Sequence, residues 1–205
     1  MVTTHRQKKG EWKWPVIEQD ILIMGTGGLG AITSSPKEHI QIESFPGARF
    51  QHFTDMLKKD KANKKVPKFI IFNVGLHDKS SDPVKTSCRN LMTMMTWVRA
   101  RFPTIKIYLT EINYSSLLPQ AEHSNLNRIN KSMTQYKEVN IIPKLDEKVF
   151  QTSSSDIHNN EWNEDTANAM LRHWLSYLNE SEGNFVPSSR VHTNHQLLDS
   201  RVFLK

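Results

Sequence analysis

The sequence predicts an α/β fold: a three-layer α/β/α arrangement around a five-stranded parallel sheet. Three observations carry that expectation. Short apolar runs recur along the chain, amphipathic stretches separate several of them, and glycine-, proline- or charge-rich turns follow them. Short apolar runs mark parallel strands buried on both faces. Strands that alternate with helices place those helices on both sides of one sheet.

Strands are expected at 20–24, 40–44, 68–74, 106–110 and 139–142. Phe50, Phe53, Met56 and Leu57 make one helical face. Cys88, Leu91, Met92, Met95, Val98 and Phe102 make a longer one. Leu126, Ile129, Met133 and Tyr136 make a third, and Ala167, Met170, Leu171, Trp174, Leu175 and Leu178 a fourth. Each set recurs at helical spacing and so buries one stripe. Asn163 is a suitable N-cap for the fourth helix, with Glu164 and Asp165 in its first turn. Five strands suit the flavodoxin-like order 2-1-3-4-5, with functional loops at the carboxyl ends of the strands.

A chain of 205 residues is enough for one such domain. It divides into a basic polar arm (1–17), the domain proper (18–179) and a polar tail (180–205). A hydrophobic content of 37% with five Trp excludes global disorder. Part of the basic excess behind the net charge of +6 lies in 5–9 and 58–65. Such runs give a weak attraction for nucleic acid, although most charge runs are simply solvated. The single cysteine, Cys88, cannot form an intrachain disulfide, and its place in an amphipathic pattern predicts a buried core thiol. No apolar run is long enough to span a bilayer, and the N-terminal segment lacks the apolar core of a signal peptide. The expectation is a soluble intracellular, cytoplasmic protein.

Gly25-Thr26-Gly27-Gly28-Leu29-Gly30 follows the run Ile21-Leu22-Ile23-Met24 and fits the phosphate-cradling pattern G-x-G-x-x-G. Glu43 lies roughly where a ribose-binding acid would be. A dinucleotide turn must, however, feed a full helix whose N-terminus holds the pyrophosphate. Here Ala31-Ile32-Thr33-Ser34-Ser35 runs into Pro36, and the next strand begins near Ile40. No helix of the required length fits, so no nucleotide cofactor is expected.

Three further segments are compositionally unusual: Phe45-Pro46-Gly47-Ala48, Val74-Gly75-Leu76-His77-Asp78 and Ser155-Asp156-Ile157-His158. Taken in order with the glycine turn, they resemble the blocks of the SGNH (GDSL-type) hydrolases. Those blocks are Gly-Asp-Ser, a glycine, Gly-x-Asn-Asp, and Asp-x-x-His before the last helix. Ser44-Phe45-Pro46-Gly47-Ala48 and the segment from Thr166-Ala167-Asn168-Ala169-Met170 to Leu171-Arg172-His173-Trp174-Leu175 are similar to the framing segments of SGNH-like domains in fish retroelement reading frames.

In that family the block-one serine attacks an ester carbonyl, the histidine takes its proton and the aspartate orients the imidazole. Backbone N–H groups and the block-three asparagine bind the oxyanion. The resemblance puts Thr26 at the aspartate and Gly27 at the serine of block one. Gly47 and Gly75 match the glycines of blocks two and three, and His77, followed by Asp78, replaces the asparagine. His158 is placed at the histidine with Ser155 at the aspartate, and Asp156 next door. Counting back without gaps from Thr166-Ala167 instead puts Glu161 at the histidine and His158 at the aspartate. In neither register does a Ser-His-Asp set survive.

The implied protein is a degenerate SGNH hydrolase-like domain, a pseudoenzyme with relic His158 and Asp156 and a cleft formed by Gly27, Gly47, Gly75, His77 and Asp78. Its ligand would be an ester, an acyl group or a small polar molecule. Two other readings remain: an active esterase or deacetylase with an altered site, and a basic nucleic-acid-associated module. A metal centre built from His77, Asp78, Asp156, His158 and Glu161 matches no established ligand spacing, and none is expected.

Overall fold

A computed structural model describes residues 2–6, 11–34, 39–60, 65–80, 84–146, 148–150, 152 and 162–183. The sheet contains β1 (Val2–Thr4), β2 (Ile21–Gly25), β3 (Ile40–Ser44), β4 (Phe69–Asn73), β5 (Lys106–Thr110) and β6 (Asn140–Ile142). The helices are α1 (Phe50–Lys59), α2 (Val84–Arg101), α3 (Gln120–Met133) and α4 (Glu164–Glu182). Every strand pairing is parallel, in the order β1-β3-β2-β4-β5-β6. Without β1 the order is the expected flavodoxin-like one.

The sheet therefore has six strands, not five. The sixth comes from the segment expected as a basic arm: Val2, Thr3 and Thr4 pair with Ile42, Glu43 and Ser44. Three residues with one apolar side chain give too short a pattern to register as a strand. A specific pair holds them in place. His5 Nε2 is hydrogen-bonded to the Glu43 carboxylate, and its ring stacks on Phe45 at 4.4 Å between centroids. Gln41 Nε2 donates to the other Glu43 oxygen at 2.6 Å.

Side chains alternate across each strand, and the two faces build two cores. Leu22, Met24, Ile70, Phe72, Ile107 and Leu109 point towards α1, α2 and α3. Ile21, Ile23, Phe69, Ile71 and Tyr108 point towards α4, against Met170, Leu171 and Trp174. The connection from β1 to β2 crosses the first face, where Trp14 lies 6.0 Å from Phe102.

The helical stripes bury largely as expected. The α1 face is fully buried, and so are Leu126, Ile129 and Met133 of α3. Asn163 caps α4 by accepting the Thr166 N–H at 2.8 Å. The helix runs on to Glu182 and ends at Gly183 in the left-handed conformation. The long α2 stripe is rotated from its expected position. Ser87, Leu91, Met94, Met95 and Val98 are buried, Met92 is 55% exposed, and Cys88 is half-buried rather than a core thiol. Met94 was absent from the expected face, and its burial shifts the stripe round the helix. Among the described residues no helix is long and apolar enough to cross a membrane.

Candidate functional site

The site is built from the turns at the carboxyl ends of β2, β3 and β4. After β2 the chain makes one short 3-10 helix, Gly27–Ala31, and then leaves in an extended conformation at Ile32. Among the described residues between this turn and β3 there is no α-helix. Close approach explains two of its glycines. A Cβ on Gly25 would come within 2.5 Å of the Asn73 carbonyl, and one on Gly28 within 2.7 Å of the Trp162 ring. At Gly27 a Cβ would meet only Pro46, at 3.7 Å, an ordinary contact. Thr26 beside it is 3% exposed, with its N–H donating to the Asn73 carbonyl at 3.3 Å.

The β2 and β3 turns therefore touch through Gly27 and Pro46. Gly47 follows with φ +82 and open space around its Cβ position. The β4 turn reaches the same place from the other side. Gly75 has φ +106, and a Cβ there would lie 2.6 Å from Phe50 Cζ and 2.8 Å from Ile112 Cδ1. Leu76, His77 and Asp78 then form a single 3-10 turn.

Asp78 from the β4 turn and His52 from α1 itself satisfy N–H groups at the start of α1 that would otherwise lack partners. The Phe50 N–H donates to Asp78 at 3.2 Å. The Arg49 N–H donates to His52 Nδ1 at 3.0 Å. Burial, aided by Arg49, lowers the His52 pKa, which favours the neutral ring that can accept. Asp78 is 1% exposed. Burial pushes its carboxyl up to about 7, opposed by the Phe50 N–H and by Arg49. His77 is half-buried, and burial, with Lys79 and Arg49 nearby, lowers its pKa. The imidazole is thus held neutral near pH 7, with one ring nitrogen donating and one accepting.

Gly27, Gly47, Gly75, His77 and Asp78 lie on turns that follow three neighbouring strands, and the contacts between those turns run through Gly27 and Pro46 and through Phe50 and Asp78. Asp156, His158 and Glu161 lie outside the described residues. The flanks of that stretch are placed: Thr152 and Trp162 form an antiparallel bridge, and Trp162 packs over Gly28. Among the described residues no three His, Cys, Asp or Glu side chains gather to hold a metal ion.

The sequence reading missed two features. One is the role of Asp78 in capping α1, which joins residues far apart in the chain. The other is a second polar cluster at the same sheet edge, around Tyr114, His123 and Lys144. Tyr114 follows closely on the strand at 106–110, but that strand-end loop contains no glycine, and the partners of Tyr114 come from distant segments.

A parallel sheet with turns gathered at its carboxyl edge defines an α/β protein with a strand-end site. No family model matches the chain, and neither does any curated protein. Solved structures do match. A protein assigned as a platelet activating factor from Streptococcus pneumonia aligns over 80% of this chain and 85% of its own, at 16% identity and TM-score 0.62. A member of the lipolytic G-D-S-L family from Veillonella parvula aligns over 78% and 97%, at 10% identity and TM-score 0.59. The psychrotrophic esterase EstA from Pseudoalteromonas sp. aligns over 78% and 100%, at 16% identity and TM-score 0.54. At these identities the likeness is one of fold: the chain shares the three-layer α/β/α architecture of these structures, the lipolytic G-D-S-L family member among them.

Proposed function

We propose that this domain has lost the classical serine-esterase mechanism of its fold and retains the strand-end cleft for binding. The observation that carries this reading is Gly27. It occupies the turn after β2 where the resemblance calls for the serine, against the turn that carries Gly47. Glycine offers no hydroxyl, so no acyl-enzyme forms there. Thr26 is the nearest hydroxyl in sequence, and it is buried beneath the turn. Under this reading the cleft takes an ester, an acyl group or a small polar ligand. The backbone of Gly27 and Gly47 and the neutral His77 supply donors in place of a full oxyanion hole. The similarity of the Ser44–Ala48 and 166–175 segments to retroelement-encoded SGNH-like domains supports an origin in such an element.

One observation favours a second reading, an altered-site hydrolase. His77 is half-buried on the β4 turn, and burial with Lys79 and Arg49 nearby favours its neutral ring, the form a general base needs.

The deciding experiment is hydrolysis of a short p-nitrophenyl ester by the parent, by Gly27→Ser and by Gly27→Ser/His158→Ala. A silent parent with activity gained on Gly27→Ser and lost again in the double variant supports the pseudoenzyme reading. Turnover by the parent that disappears in His77→Ala overturns it in favour of the altered site.

A further inference from the structure

A cavity of about 760 Å³ opens at the carboxyl ends of β5 and β6, on the same edge as the glycine turns. Its walls include Tyr114, His123, Asn127, Lys144 and Phe150. Tyr114 lies on the loop after β5, and Lys144 lies two residues beyond β6. His123 and Asn127 sit four apart in α3 and so share one helix face. The size is that of a small-molecule site, and such sites favour this edge of a parallel sheet.

Tyr114 is fixed from three directions. Its hydroxyl donates to Asn127 Oδ1. The His123 ring meets it edge-on, with centroids 4.9 Å apart. The Lys144 ammonium lies over its ring at 4.3 Å. His123 is itself held through Nε2 to the Ser115 carbonyl at 3.0 Å. The lining is therefore organised before any ligand arrives.

The chemistry of the lining is one-sided. With its Oδ1 engaged by Tyr114, Asn127 turns an amide donor to its surroundings, and Lys144 carries three donors and a positive charge. No carboxylate is among the described lining residues. Glu111, next to β5, accepts the backbone N–H of Lys144 at 3.2 Å rather than pairing with its ammonium. A half-buried cation with no carboxylate partner among the described residues, facing a polar cavity with aromatic walls, calls for an anion.

We propose that this pocket binds a small organic oxyanion, a phosphate or carboxylate group carried on a ring, with Lys144 and Asn127 on the oxygens and Tyr114 and Phe150 against the ring. The site is separate from Gly27, and the inference stands whether or not the domain hydrolyses esters.

The test is calorimetric titration of the full chain with phenyl phosphate at low salt. Benzoate separates phosphate from carboxylate selectivity, and phenyl β-glucoside is the neutral control. Saturable binding of either anion, weakened about tenfold or more by Lys144→Gln and absent for the glucoside, is expected. No binding of either anion up to about 10 mM, equal binding of the glucoside, or binding unchanged in Lys144→Gln overturns it. Should Lys144→Gln fail to fold, NMR of the unaltered chain decides. Shifts of the Tyr114 and His123 ring resonances on adding phenyl phosphate support the site, and shifts confined elsewhere refute it.

Discussion

The Asp78 carboxylate accepts the backbone N–H of Phe50 at 3.2 Å, which ties the turn after β4 to the first turn of α1. The bond places an ionisable group inside the core at the end of a helix dipole. Burial outweighs the dipole and the Arg49 charge, so the carboxyl titrates at about 7 instead of 3.8. An unfolded chain releases this proton near the lower value. Between the two, the unfolded state gains by ionising while the folded state does not, so stability falls as pH rises through that window. Asp78→Asn keeps an acceptor for Phe50 and removes the titration. It should stabilise the protein at pH 8 by up to about 4 kcal/mol, and the gain should vanish towards pH 4. Denaturant unfolding of both proteins across that range checks it. A parallel pH dependence in both would show that Asp78 is not the group responsible.

Gly75 is expected to be the least replaceable glycine of the site. Its φ of +106 disfavours any side chain, and a Cβ would overlap Phe50 and Ile112. Gly75→Ala should cost about 2–5 kcal/mol from backbone strain and overpacking together. Urea unfolding measures this directly, and a cost below 1 kcal/mol would mean that the turn relaxes.

Gly27 and Gly28 are adjacent but should respond in opposite ways to serine. Gly27→Ser meets Pro46 at an ordinary distance and should change stability by less than about 0.5 kcal/mol. Gly28→Ser runs into the Trp162 ring and should cost about 1–3 kcal/mol. Thermal melts of the two variants side by side settle the contrast. The near-neutral cost at Gly27 also makes Gly27→Ser a fair test of the proposed function.

The His5–Glu43 pair predicts a coupled effect. The Glu43 side chain is only 4% exposed, against 26% for His5. His5→Ala leaves a buried carboxylate with Gln41 as its remaining side-chain partner and should cost about 1–3 kcal/mol. Adding Glu43→Gln should recover part of that loss. Strict additivity in a double-mutant cycle would show that the pair does not couple.

The strands and helices were legible because their patterns are strong and local. Five apolar runs gave five parallel strands, the α1 stripe buried in full, and the α4 stripe buried except for the partly buried Leu175. β1 was illegible because it is defined by its partner: Glu43 and Phe45 make Val2–Thr4 a strand by holding His5. The orientation of α2 was misjudged because Met92 and Met94 are equally apolar, and only tertiary packing chooses between them. For the site, the order of the strand-end turns revealed which loops converge, since topology alone dictates it. The contacts between them were hidden. Asp78 bonds a backbone group 28 positions away, and the Tyr114 cluster joins three separate segments. Neither leaves a local pattern.

The three-residue strand β1 also bears on how copies of this chain avoid one another. It covers the hydrogen-bonding edge of β3, whose sequence Ile-Gln-Ile-Glu-Ser alternates in the way that aggregating strands do. The new edge is short, and its Thr3 and Thr4 are exposed. Loss of this short cover would uncover a longer edge, and fibre growth or self-association would then compete with refolding. The few residues before the first loop are therefore expected to restrain such association as well as to complete the sheet.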